Sequence, residues 1–210
     1  MRHIFFDLDG TLTDSGEGIL NCATLALEYF GIPVPSRQEM RVFVGPPLDQ
    51  TFLKFGIPAD RVEEAIRVFR SRYLTVGKFE NFPYPGIPEL LQTLRARGNR
   101  LYVATSKPET TAVEVLEHFG LAPFFEKICG ATMDSSRITK EQVIDYLFAQ
   151  IGYQKDAIMV GDTAFDVTGA AAFGIPTIGV TWGYGSIAEM QEAGATAIAQ
   201  TTDELLRLLE

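Results

Sequence analysis

Met1-Arg-His-Ile-Phe-Phe-Asp7-Leu-Asp9-Gly10-Thr11-Leu12-Thr13-Asp14 runs a short apolar stretch directly into two carboxylates and a glycine turn. A strand over the apolar residues would place Asp7 and Asp9, two positions apart, on one face, and a turn at the strand end lets both reach one small volume. Carboxylates crowded in this way repel each other unless a cation lies between them. Oxygen-only donors suit a hard divalent ion such as Mg2+, which accepts a few carboxylates while keeping waters and a substrate phosphate in its shell. The segment therefore predicts a metal-assisted phosphate site at the end of a first strand. An ordinary Asp-Gly turn is the alternative for these residues taken alone.

A second acidic cluster weighs against that alternative. Ile158-Met-Val-Gly161-Asp162-Thr-Ala-Phe-Asp166 is again an apolar run ending in Gly-Asp. Four positions apart, Asp162 and Asp166 share the first turn of any helix that begins there, where acidic side chains also serve as caps and dipole partners. From about residue 84 the chain alternates helix and strand signals. A Pro-rich entry and a glycine stop frame a helix over Pro85 to Gly98. Strands are expected at 101–105, 127–130, 157–161, 176–180 and, more weakly, 196–199. Helices are expected at 109–119, 139–151, 164–173, 186–193 and 202–209, with Gly169, Ala170, Ala171 and Ala172 permitting close packing. Such alternation predicts an α/β fold, a Rossmann-like parallel sheet flanked by helices. Open sheets of this kind bind ligands at the carboxyl ends of their strands, where both acidic clusters fall.

Residues 15 to 80 break the rhythm. Ile19, Leu20, Cys22, Ala23, Leu25, Ala26, Tyr29 and Phe30 recur at helical spacing, as do Val62, Ala65, Ile66, Phe69, Tyr73 and Leu74, and core packing is expected of them. The segment reads as a small helical bundle inserted after the first strand. It holds eight Lys/Arg and eight Asp/Glu, so the rest of the chain carries the whole net charge of −9. Val44-Gly45-Pro46-Pro47-Leu48-Asp49 interrupts two helices, which makes Gly45 and Pro46 candidates for a substrate-facing loop as well as a plain helix break. Arg41 and Lys54 flank it. Gly179-Val-Thr-Trp182-Gly-Tyr184-Gly185 follows a strand, and Trp182 or Tyr184 there could stack on a substrate or cover an interface.

Four segments together resemble the phosphatases of the haloacid dehalogenase superfamily, and the resemblance covers essentially all 210 residues. Asp7-Leu-Asp9-Gly10-Thr11 is similar to the first motif, which implies Asp7 as nucleophile and Asp9 as general acid and base. Leu101-Tyr-Val-Ala-Thr105-Ser106-Lys107-Pro108 is similar to the second, implying phosphoryl contacts from Thr105 and Ser106. Lys140, in Ser135-Ser-Arg-Ile-Thr-Lys140, occupies the place of the motif lysine that offsets charge at the nucleophile, with Lys107 as its competitor. Gly161-Asp162-Thr-Ala-Phe-Asp166 is similar to the fourth motif, which completes the metal shell. The implied Mg2+ ligands are Asp7, the main-chain carbonyl of Asp9, and Asp162, with Asp166 as a ligand or a support. Residues 1–14 and 81–210 would form the catalytic core and 15–80 a helical cap. The nearest branch is the phosphoglycolate phosphatase-like one, acting on a small phosphorylated metabolite. A 5′-nucleotidase or sugar-phosphate mutase of the same fold is the alternative, and a receiver-type phosphoacceptor domain is the alternative of a different class.

Composition agrees. A pI near 4.8 argues against nucleic acid or an anionic membrane as the main partner. No apolar run approaches the length of a membrane span, and a cytoplasmic monomer or homodimer is expected. Cys22 and Cys129 are too few for a disulfide framework and read as buried small hydrophobes. His118 reads as the last-turn residue of a helix stopped by Gly120.

Overall fold

The structure, a computed structural model, describes residues 1–134 and 136–210; Ser135, at the head of the third segment above, lies outside the described residues. The chain runs β1 (His3–Phe6), β2 (Thr13–Asp14), α1 (Gly16–Tyr29), α2 (Arg37–Met40), α3 (Leu48–Lys54), α4 (Val62–Tyr73), β3 (Phe82–Pro83) and α5 (Ile87–Ala96). It continues with β4 (Arg100–Pro108), α6 (Glu109–His118), β5 (Lys127–Ala131), α7 (Lys140–Ile151), β6 (Ala157–Gly161), α8 (Ala164–Ala171), β7 (Thr177–Val180), α9 (Ile187–Glu192), β8 (Ala197–Ala199) and α10 (Thr202–Leu208). Two compact units result: Met1–Thr13 with Pro83–Glu210, and Asp14–Phe82.

In the first unit six strands pair in the order β5-β4-β1-β6-β7-β8, every pair parallel. The expected parallel sheet wrapped by helices is thus present. Its strands are nearly all apolar because both faces are covered. Alternation sends Ile4, Phe6, Leu101, Val103, Ile158 and Val160 to one face, against Leu90, Leu91 and Leu94 of α5 and Val115 and Leu116 of α6. Phe5, Tyr102, Ala104 and Met159 point to the other, against Val143, Ile144 and Leu147 of α7. Each such side chain taken fully out of water contributes roughly 1.5–3 kcal/mol, which fixes β1 in the middle of the sheet. Phe6 lies opposite Val103 on one side and Val160 on the other. The residues that follow Phe6, Val103 and Val160 therefore emerge at one end of the sheet.

Helix starts at this end are set locally. Thr139 Oγ1 accepts the Gln142 N–H at 3.2 Å, and Gln142 Oε1 accepts the Thr139 N–H at 3.1 Å. This reciprocal cap makes Lys140 the first residue of α7. Gly169 of α8 lets the two helices approach: a Cβ there would lie 2.7 Å from the Lys140 Cβ. Gly169 and Ala170 are buried as the sequence suggests, whereas Ala171 and Ala172 face solvent.

The second unit is helical. Phe43, Phe52, Phe55, Phe69 and Tyr73 form its aromatic centre, with ring centroids 4.8–6.4 Å apart. Three expected core positions are corrected: Leu25, Tyr29 and Leu74 are exposed. Leu25 and Tyr29, four apart, lie on the outer stripe of α1, where the Tyr29 hydroxyl donates to Glu64 Oε1 at 3.0 Å. Leu74 is the residue at which α4 ends. β2 and β3, a separate two-stranded sheet, are too short to leave a periodic signal in the sequence.

Cys22 and Cys129 are free and buried, and burial pushes the Cys129 thiol up to about 11. His118 closes α6. Among the described residues, no helix is long and apolar enough to cross a membrane.

Candidate active site

Asp7 follows β1 directly, and its N–H donates to the Val160 carbonyl at 2.9 Å, stitching the end of β1 to β6. Asp162 follows β6 just as directly. One carboxylate oxygen from each of Asp7, Asp162 and Asp166 lies within 4.8 Å of the others. The structure therefore brings together the two acidic clusters that are 155 positions apart in sequence.

Lys140 is the cation of this group. Its Nζ lies 2.8 Å from Asp7 Oδ1 and 2.7 Å from Asp166 Oδ1, and donates to the Ala104 carbonyl at 2.7 Å. A lysine in the first turn opposes the helix dipole by about 0.3–1 kcal/mol, so α7 alone gives no reason for it to be there. Burial opposes its charge, yet Asp166 and Asp7 outweigh burial and hold its pKa above the usual lysine value.

Lys107 serves a different carboxylate. Its Nζ is 2.7 Å from Asp9 Oδ1 and 2.8 Å from Oδ2, so the Asp9 side chain is held apart from the three-carboxylate group. Thr105 is buried and its Oγ1 accepts the Lys107 N–H at 3.2 Å. Ser106, the next residue of β4, is exposed. Gly45 and Pro46 lie in the second unit, between a short 3-10 turn (Arg41–Phe43) and α3, with Arg41 and Lys54 both exposed.

Asp162 is fixed from several sides. Its Oδ1 accepts the Thr11 hydroxyl at 3.0 Å and its Oδ2 accepts the Tyr184 N–H at 2.9 Å. Gly10 has φ of 91°, and a Cβ on it would lie 2.2 Å from Asp162 Oδ2, so both conformation and space require glycine. Asp166 is held by α8's own cap: its Oδ2 accepts the Thr163 N–H at 3.0 Å and the Thr163 hydroxyl at 2.8 Å. Burial first, then Asp166 and Asp7, pushes Asp162 up to about 8. Burial also raises Asp166, against the pull of Lys140.

Sequence reasoning missed the part played by the loop after β7. The sequence offers Trp182 or Tyr184 for stacking on a substrate or covering an interface; the structure adds that the Trp182 Nε1–H donates to the Thr11 carbonyl at 3.0 Å and that Tyr184 contributes its main-chain N–H. A Cβ on Gly183 would lie 2.3 Å from Asp162 Oδ2, and one on Gly185 only 1.9 Å from the Asp162 carbonyl oxygen. The spacing of glycines around Trp182 was the available signal. Gly185→Ala is expected to lower stability by about 1–3 kcal/mol, read from urea unfolding, because the added methyl meets main chain that cannot turn aside. An unchanged midpoint would contradict this packing.

Residues 4–180 match the family model of the haloacid dehalogenase-like hydrolases. A 5′-nucleotidase of Pseudomonas aeruginosa is 40% identical over 210 residues, covering 99% of this chain and 95% of that protein. The tyrosine-protein kinase PtkA of Mycobacterium tuberculosis is 43% identical over 209 residues, covering 98% of this chain and 72% of that one. A phosphoglycolate phosphatase of Caulobacter vibrioides is 30% identical over 188 residues, covering 86% and 79%. The crystal structure of a predicted phosphatase from Clostridium acetobutylicum superposes with a TM-score of 0.94 at 41% identity, covering 99% and 97% of the two chains. The chain belongs to the haloacid dehalogenase-like hydrolases. Within them it is a phosphatase.

Proposed function

We propose that the protein hydrolyses a small phosphate monoester in an Mg2+-dependent reaction that passes through a phosphorylated Asp7. The observation that carries this reading is the buried meeting of Asp7, Asp162 and Asp166 around one lysine at adjacent strand ends. Three carboxylates against one ammonium leave negative charge in excess, because the single Lys140 Nζ is shared between Asp7 Oδ1 and Asp166 Oδ1. An all-oxygen donor set of this kind fits a hard divalent cation. Asp7, Asp162 and the Asp9 carbonyl would hold it, with Asp166 as support through Thr163 and Lys140. When bound, the cation offsets the charge of the transferred phosphoryl group.

Asp7 attacks phosphorus in line, and the bond from phosphorus to the leaving oxygen breaks as the aspartyl phosphate forms. Asp9 gives its proton to the departing oxygen, then takes one from the water that attacks the aspartyl phosphate, regenerating both carboxyl groups. Thr105 and Lys140 hold non-bridging oxygens, with Gly10 and Ser106 lining the phosphate position. Asp14–Phe82 serves as the helical cap that selects the substrate, Gly45 and Pro46 forming its selecting loop. Resemblance alone supports that assignment.

Phosphoglycolate is the first substrate to test. A nucleoside 5′-monophosphate is the second, favoured by the Pseudomonas relative. Phosphate release from both, from sugar phosphates and from ATP with a tyrosine peptide as acceptor separates these readings from a mutase and from a kinase. Release that needs Mg2+ and stops with chelator is expected. Turnover that persists without divalent cation would contradict the proposal.

A pH dependence follows from Asp162. A carboxyl raised in the folded state binds more protons than in the unfolded chain, so its contribution to stability is complete at low pH and is lost as pH rises towards about 8. Metal must displace that proton. Mg2+ is expected to raise the melting temperature more at about pH 8 than at about pH 6, and an equal shift at both would contradict it.

A further inference from the structure

Two buried lysines divide the carboxylates at this end of the sheet between them. Lys140 takes Asp7 and Asp166. Lys107 takes Asp9, meeting both of its oxygens with side chains only 3% and 15% exposed. A single ammonium on both oxygens removes most of the freedom of the carboxylate to rotate, and the lysine is itself fixed by its main chain. Its N–H is tied to Thr105 Oγ1. The pairing of β4 with β5 slips between Ala104 and Pro108, and Gly130 of β5 comes so close that a Cβ on it would lie 2.5 Å from the Lys107 carbonyl oxygen. The irregular end of β4 thereby aims Lys107 at Asp9.

We propose that Lys107 is a positioning residue that holds the Asp9 carboxyl in the orientation from which it serves the leaving oxygen. The inference rests on the acid role of Asp9 proposed above. Lys107 keeps its own proton throughout and forms no bond to substrate; one Asp9 oxygen stays with the ammonium while the other meets the leaving group. Misplacement of an acid harms esters in proportion to their need for protonation. Alkyl phosphates have poor leaving groups and need it, whereas p-nitrophenyl phosphate does not.

The test compares kcat/KM, which reports the step in which the leaving group departs, for phosphoglycolate or glycerol phosphate and for p-nitrophenyl phosphate. Lys107→Met is expected to lower kcat/KM for the alkyl ester about 100-fold or more and for the aryl ester less than about 10-fold. Lys107→Arg should recover part of the alkyl activity. Lys107→Gln carries the same expectation as the Met variant should that one fail to fold. Equal losses on both esters, or no loss on either, would overturn the inference. Asp9→Asn measured alongside separates the two levels: a selective alkyl loss there without one at Lys107 sinks the inference alone, and no selectivity at Asp9 sinks the acid role itself.

Discussion

Asp7→Asn is expected to abolish phosphate release, with a loss on the order of 10^4-fold or more, while leaving a folded protein. The amide has nearly the shape of the carboxylate but cannot form a stable acyl phosphate. The fold is expected to tolerate the change because Asp7 sits after β1, not within it, and its main-chain bond to Val160 is untouched. One of three mutually repelling carboxylates also disappears, which offsets the lost contact with Lys140 at 2.8 Å. Circular dichroism and thermal melts check the fold, and phosphate release checks the chemistry. Appreciable activity in a folded Asp7→Asn protein would remove the nucleophile from the mechanism.

Lys140→Met is expected to damage both stability and activity. The ammonium is buried, and its removal leaves Asp7 and Asp166 facing each other and Asp162 without an intervening positive charge. Deleting one partner of a buried ion pair typically costs about 3–5 kcal/mol, and deleting a preorganised charge at the reacting group about 10^2 to 10^3 in rate. Divalent cation should return part of the lost stability, since it supplies positive charge to the same carboxylates. Unfolding in urea with and without Mg2+ measures this, and a variant as stable as the parent in chelator would show that Lys140 does not hold the group together.

Much of this architecture is legible in the sequence for a simple reason. Strands buried on both faces are written as unbroken apolar runs, and each run here ends in the polar residues that matter, so Asp7, Asp162 and Thr105 can be placed without coordinates. The division of labour between Lys107 and Lys140 is not legible that way. Both lie near strand or helix ends, and which carboxylate each reaches depends on the slip in β4 and on the close approach of α8 at Gly169. The loop around Trp182 is hidden for a related reason: it acts through a main-chain N–H and through the absence of side chains at Gly183 and Gly185. In the helical unit, periodicity marks the buried stripe of α1 but not its edges, which is why Leu25 and Tyr29 are exposed.

The most direct test of the central claim is to quench the reaction during turnover of a radiolabelled phosphate ester and map the labelled peptide. Label on the N-terminal peptide that contains Asp7, acid-stable, lost in alkali and missing in Asp7→Asn, is the predicted result. Label on any other residue, or phosphate released with no labelled protein under conditions that trap acyl phosphates, would contradict it.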